Sequence, residues 1–183
     1  MGQVWRVGLL FAALSATTTA WQLLPPPGDG DIRVAYSELQ NRSEIWLTLE
    51  PRAMNGTRAP FLTFTSRFAG RRQRAASSEV LVQACAGLFW APRTELWFDL
   101  DGKERVDVSP GLPNIGLVSG AAGDCWGGQI SIDVMYRMAL VHHIRGSSLG
   151  FPFQLSAVQQ QAIRAWLDRI DPGGLPPFLR PHG

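Results

Sequence analysis

Gly146-Ser147-Ser148-Leu149-Gly150 reads as G-x-S-x-G, the spacing that sets a serine hydroxyl on a sharp strand-to-helix turn in hydrolases. Asp168 or Asp171 and then His182 follow in the chain order such an enzyme uses. The chemistry would be acyl transfer, in which the hydroxyl attacks a carbonyl, histidine takes its proton and backbone N–H groups hold the oxyanion. The neighbouring residues argue for a different role. Phe151-Pro-Phe-Gln-Leu155 has apolar residues at every second position, so the serine leads into another strand and not into a helix. His182 sits in a Pro-rich tail with nothing to position it, and strands alternating with long helices do not occur. Small residues between glycines read better as a hairpin turn. A small serine hydrolase using Ser148 is therefore the alternative reading, not the leading one.

A second group with chemical potential is Arg67-Phe-Ala-Gly-Arg71-Arg72-Gln-Arg74. Guanidinium forks clustered in this way bind phosphate or an anionic polymer, while the structural alternative is a solvated connection that keeps strand edges apart. Trp46 and Trp97 each stand opposite the apolar face of their strand. They would form either a flat platform for a glycan or peptide, or the surface that a C-terminal helix covers. His142-His143 lacks the four-residue spacing with which two helical histidines grip one metal. Asp99, Asp101 and Gly102 resemble half a calcium loop, but Trp97 and Val108 occupy the places of its first and last carboxylates. No metal and no cofactor is expected.

Composition limits the partners. The formal charge is +2, and of 17 basic residues only Lys103 is lysine, so dispersed arginines give no general field for nucleic acid. A length of 183 residues with seven tryptophans suits one domain with a real core. Residues 1–20 have the form of a secretory signal: Arg6, an apolar run from Val7 to Leu14, and small residues Thr18 and Ala20 before a cut at Trp21. After cleavage no stable membrane span is expected. In an exported protein Cys85 and Cys125, the two cysteines, read as one disulfide. Residues 21–30, with Pro25-Pro-Pro-Gly28, read as a Pro-rich tether, 31–171 as a single β-rich domain and 172–183 as a flexible tail.

The elements that would hold these residues come from periodicity. Ile32, Val34 and Tyr36, then Ile45, Leu47 and Leu49, alternate with polar residues. A two-residue turn at Asn41-Arg42 would set Tyr36 against Leu47 and Val34 against Leu49. Leu62, Phe64 and Phe68 mark a strand, and Val80, Val82 and Ala84 another. Leu96 to Val108 is a hairpin whose parity calls for a three-residue loop, Leu100-Asp101-Gly102, with Gly102 left-handed. Ser109 to Gly128 reads as a long loop, Gln129 to Asp133 as a short strand and Val134 to Val141 as a short helix. Ser156 and Gln159 form a capping box for a second helix. Along it Val158, Ala162, Ile163, Trp166, Leu167 and Ile170 make the apolar side, opposite Gln160, Gln161, Arg164 and Asp168.

Asn41-Arg-Ser-Glu-Ile-Trp-Leu-Thr-Leu-Glu-Pro51, the Leu-Asp-Gly-Lys-Glu-Arg run from Leu100, Arg145-Gly, Phe153-Gln-Leu-Ser and Ala162-Ile-Arg-Ala-Trp resemble a set of exported bacterial proteins of uncharacterised function. The resemblance implies export, a bacterial origin and an antiparallel β-sandwich-like domain ending in a helix, and it carries no active site to transfer. The fold expected is thus mainly β with α: a sandwich-like domain, a short helix, and a C-terminal amphipathic helix packed on the sheet. The function expected is non-enzymatic binding of a protein or envelope component by a periplasmic or secreted module. Arg67, Arg71, Arg72, Arg74, Trp46 and Trp97 are the candidate contact residues.

Overall fold

The computed structural model describes residues 28–54, 59–71, 79–86, 95–108, 114–118, 121–172 and 174. Arg72 and Arg74 of the arginine run, His182 and the proposed signal lie outside them. Strands β1 (Ile32–Ser37), β2 (Arg42–Leu49), β4 (Phe61–Ala69), β5 (Glu79–Ala86), β8 (Asn114–Val118) and β9 (Ala121–Ser131) form one antiparallel sheet in the order β1-β2-β4-β5-β9-β8. A second antiparallel sheet runs β3-β11-β10-β6-β7, from β3 (Arg52–Ala53), β6 (Leu96–Leu100), β7 (Glu104–Asp107), β10 (Ile144–Ser148) and β11 (Phe151–Gln154). Helices α1 (Ile132–Leu140) and α2 (Ala157–Ile170) complete the fold, which is the β-sandwich-like architecture with packed helices that the sequence predicts.

Alternation along the strands explains why the sheets meet. Ile45, Leu47, Leu49, Leu62, Phe64, Val80, Val82 and Ala84 occupy one face of the first sheet, and Leu96, Phe98, Leu100, Ile144 and Phe153 one face of the second; all are buried. The Phe64 and Phe98 rings meet at 6.2 Å, and Phe98 meets Phe153 edge-on at 5.9 Å, which joins the inner faces into one core. Trp166 of α2 enters the same core 6.4 Å from Phe64, and its Nε1 donates to the Ile45 carbonyl at 3.4 Å. Among the described residues no helix is long and apolar enough to cross a membrane.

The capping box of α2 forms as its sequence predicts. Ser156 Oγ accepts from Gln159 N at 3.2 Å and Gln159 Oε1 from Ser156 N at 2.9 Å. The apolar side is shifted from the predicted one. Val158 is 73% exposed, while Gln159 and Gln160 are buried because their amides serve the backbone of neighbouring elements. Gln159 Nε2 donates to the Glu50 carbonyl at 2.7 Å and to the Asp29 carboxylate, and Gln160 Nε2 to the His142 carbonyl at 3.0 Å. Asp29 and Gly30 consequently belong to the domain and not to a tether: Gly30 N donates to the Thr48 carbonyl at 2.8 Å, and Asp29 Oδ1 accepts from Glu50 N at 2.8 Å.

Three further readings need correction. The β1–β2 register pairs Val34 with Ile45 and Tyr36 with Ser43, because residues 38–41 form a four-residue connection in place of a two-residue turn at Asn41-Arg42. Asn41 closes that connection at φ +44°, a conformation Asn tolerates, and its Oδ1 accepts from the Tyr36 hydroxyl at 2.8 Å. The shift is an even number of residues, so the apolar side chains keep their face. In the β6–β7 hairpin the three-residue length and left-handed Gly102 hold, but the loop is Asp101-Gly102-Lys103, with Leu100 paired to Glu104 and Phe98 to Val106. The segment read as a long loop from Ser109 contains β8 and most of β9. Its glycines mislead because one is demanded by strand packing: a Cβ on Gly127 would lie 2.0 Å from the Val82 carbonyl oxygen. Helix α1 accordingly starts at Ile132, capped by Ser131, whose Oγ accepts from Val134 N at 3.4 Å.

Cys85 and Cys125 are bonded, as their sequence context predicts. They sit directly opposite each other on β5 and β9 with Cα atoms 4.1 Å apart.

Asp101 fastens the β6–β7 loop to the segment after α1. Its Oδ1 accepts the backbone N–H groups of His142 at 3.0 Å and His143 at 2.7 Å, and the bond from His143 leads in holding the carboxyl below its ordinary range. A lowered folded pKa means that this contribution is complete above the unfolded value of 3.8 and is lost as pH falls through the folded one. The His142 and His143 amide resonances should therefore move together below that value, and in Asp101→Asn the acid-induced movement should be absent.

Candidate binding faces

The G-x-S-x-G segment is a two-residue hairpin turn. Ser148 pairs with Phe151, and Leu149 and Gly150 both take positive φ, +55° and +83°. The first glycine has a packing reason, since a Cβ on Gly146 would lie 2.4 Å from the Trp97 carbonyl oxygen and 2.6 Å from the Phe153 ring. Leu149 adopts a conformation costly for a side chain of its size, by about 1–2 kcal/mol. It is held there by burial and by its N–H bond to the Glu95 carbonyl at 2.9 Å. Ser148 lies inside strand β10, is fully buried, and its Oγ has no hydrogen-bond partner.

Side chains that point away from the core form two outer faces. Because Ile45 and Phe64 point inward, Arg42, Glu44 and Trp46 of β2 share the outer face of the six-stranded sheet with Thr65 and Arg67 of β4. Arg33 of β1 is the register partner of Trp46 across the edge. On this face Glu44 Oε1 accepts from two guanidinium groups, Arg42 Nη2 at 2.8 Å and Arg67 Nε at 3.0 Å. One carboxylate thus faces two cations, and Nε of Arg42 is buried with no hydrogen-bond partner. Arg71 stands at the end of β4, beside the connection that precedes β2. Its guanidinium lies 4.6 Å from the Tyr36 ring centroid and pairs with Glu38 at 2.6 Å, both side chains being largely exposed. Gly70 N donates to the Asn41 carbonyl at 2.7 Å and Ser43 Oγ to the Gly70 carbonyl at 2.7 Å, which ties the start of the arginine run to this corner.

Trp97 lies on the outer face of the other sheet, half-buried, with the Arg105 guanidinium 4.5 Å above its ring and Asp107 2.8 Å from Arg105. Arg145 and Asp99 are neighbours on that face. The two tryptophans therefore belong to opposite sides of the sandwich, and no single platform contains both. Nor does α2 cover them, because Trp166 packs against the inner face, at Ile45 and Phe64. Periodicity identified Trp46 and Arg67 separately. It could not show that β2 and β4 are register partners, which is what brings Arg42, Glu44 and Arg67 together.

Among the described residues no group of three or more His, Cys, Asp or Glu side chains is placed to hold a metal ion. Comparison with known protein families, with curated proteins and with solved structures finds no match to this chain.

Proposed function

We propose that the chain is an exported, non-enzymatic module that binds an anionic envelope component or protein on the outer face of its six-stranded sheet. The observation that carries this reading is the sharing of Glu44 by Arg42 and Arg67, beside Trp46. Among the described side chains two guanidinium groups share this one carboxylate, and a planar guanidinium fork next to an indole suits a phosphate, sulfate or carboxylate on an extended ligand. Arg71 lies just beyond the end of the same strand, against the Tyr36 ring, and Arg72 and Arg74 follow it in the sequence. Export is supported by the signal-like residues 1–20 and by the Cys85–Cys125 bond, which persists in an oxidising compartment such as the periplasm or the extracellular medium.

Retention on a phosphocellulose column tests the reading. Replacing Arg67, Arg71, Arg72 and Arg74 together by Ala should lower the eluting salt concentration markedly while leaving the fold intact, because exposed ion pairs are worth at most about 1 kcal/mol each. Unchanged elution would exclude this strip as the site. A fluorophosphonate probe should leave the protein unlabelled; labelling that disappears in Ser148→Ala would establish the serine-hydrolase reading instead.

A further inference from the structure

A cleft of about 690 Å³ opens between strand β3 and the start of α2; none of its described lining residues belongs to the arginine strip, and it is independent of the function assigned to that strip. Its walls include Asp29, Glu50, Arg52, Ala53, Met54 and Gln154. The size falls within the usual range of ligand clefts, roughly 300–1,000 Å³. One wall is prebuilt: buried Gln159 bonds the Asp29 carboxylate at 2.9 Å and the Glu50 carbonyl at 2.7 Å, fixing the acidic side without engaging the Glu50 carboxylate.

The opposite wall is a sheet edge. Among the described residues strand β3 is the terminal strand of its sheet and pairs only with β11, Ala53 opposite Phe153 and Arg52 opposite Gln154. Met54 N donates to the Pro152 carbonyl at 3.1 Å, so residue 54 faces β11 and, by the alternation of an antiparallel ladder, the N–H and C=O of Ala53 face outward. An outward-facing edge donor and acceptor are what an added strand uses. Among the described residues two carboxylates, Asp29 and Glu50, stand beside that edge against one guanidinium, Arg52, and Met54 offers an apolar contact with 54% of its surface exposed.

We propose that this cleft binds an extended peptide segment carrying a basic side chain, added as a further strand along β3. Ala53 supplies the main-chain hydrogen bonds, and Asp29 and Glu50 receive the cation. Arg52 donates to a peptide carbonyl, and Met54 packs against the neighbouring apolar residue. No covalent step is involved.

Fluorescence anisotropy with labelled acetyl-Thr-Val-Lys-Val-Thr-amide tests it on the full chain. Binding should be measurable and should weaken about tenfold when Lys becomes Glu in the peptide, or when Glu50→Gln is made in the protein. Methylating both valine nitrogens of the peptide should abolish it. Ala53→Pro removes the outward N–H without breaking a bond to β11, and should also weaken binding. Arg67→Ala should bind the peptide as the parent does, which separates this site from the anion-binding face. Equal affinity for the Lys and Glu peptides, undiminished binding of the methylated peptide, or no binding of the Lys peptide would each overturn the proposal.

Discussion

Replacing Trp166 by Ala should lower the stability of the domain by about 3–5 kcal/mol, the range for removing a large buried aromatic side chain from a packed core. Trp166 is 0% exposed, sits 6.4 Å from Phe64 and donates from Nε1 to the Ile45 carbonyl. It therefore joins α2 to the middle of the six-stranded sheet, and Ala would leave both a cavity and an acceptor without its donor. Urea unfolding should show a lower midpoint with an unchanged slope. Trp166→Phe, which keeps most of the contact surface but loses the N–H, should cost clearly less. A loss below about 1 kcal/mol in Trp166→Ala would mean that α2 is not docked on the sheet.

The second large effect concerns the bridge between β5 and β9. Cys85 and Cys125 are 40 residues apart, and closing a loop of that length in the unfolded chain is worth about 3–4 kcal/mol in the chain-entropy model. The Cys85→Ala/Cys125→Ala pair should lose that amount, and the oxidised parent should lose a similar amount on full reduction. Both cysteines are almost completely buried, so reduction should be slow in the folded state and fast in denaturant. Thiol titration of the unfolded, unreduced protein should find no free sulfhydryl; two would remove the bridge from the account.

Where local chemistry dictates local structure, the sequence was legible. The Ser156–Gln159 capping box and the three-residue length of the β6–β7 loop depend on a few adjacent residues, and both were readable. The hairpin from Gly146 to Gly150 was readable too, because the residues after Ser148 have the period of a strand. Strand faces were equally readable, since a register error of even size leaves every side chain where it was, as in β1–β2. Apart from the Cys85–Cys125 bond, contacts between distant residues were not. Val158 has the right spacing for the core face of α2 but lies beyond the edge of what the helix meets, while Gln160 is buried by an acceptor at His142 that no periodicity reveals. The strand character of residues 114–118 and 121–128 was hidden because glycine usually signals a loop, and only the proximity of Val82 shows why Gly127 is needed in a strand.

The same distinction applies to the binding faces. Trp46, Trp97 and the arginine run are visible as residue types, but their grouping depends on sheet order. That order separates the two tryptophans and assembles Arg42, Glu44, Trp46 and Arg67. It also places Glu50 and Arg52, near neighbours in the chain, in the wall of a cleft with Asp29.

The most direct test of the account is a nuclear magnetic resonance titration with a heparin hexasaccharide as a polyanionic probe, observing backbone amides, arginine Nε–H and tryptophan indole signals. Saturable shifts are expected at Arg33, Arg42, Trp46 and Arg67, with the Trp97 indole and the Ser148 amide unmoved. Shifts confined to the Trp97 face, or no saturable shift on the outer face of the six-stranded sheet, would contradict it.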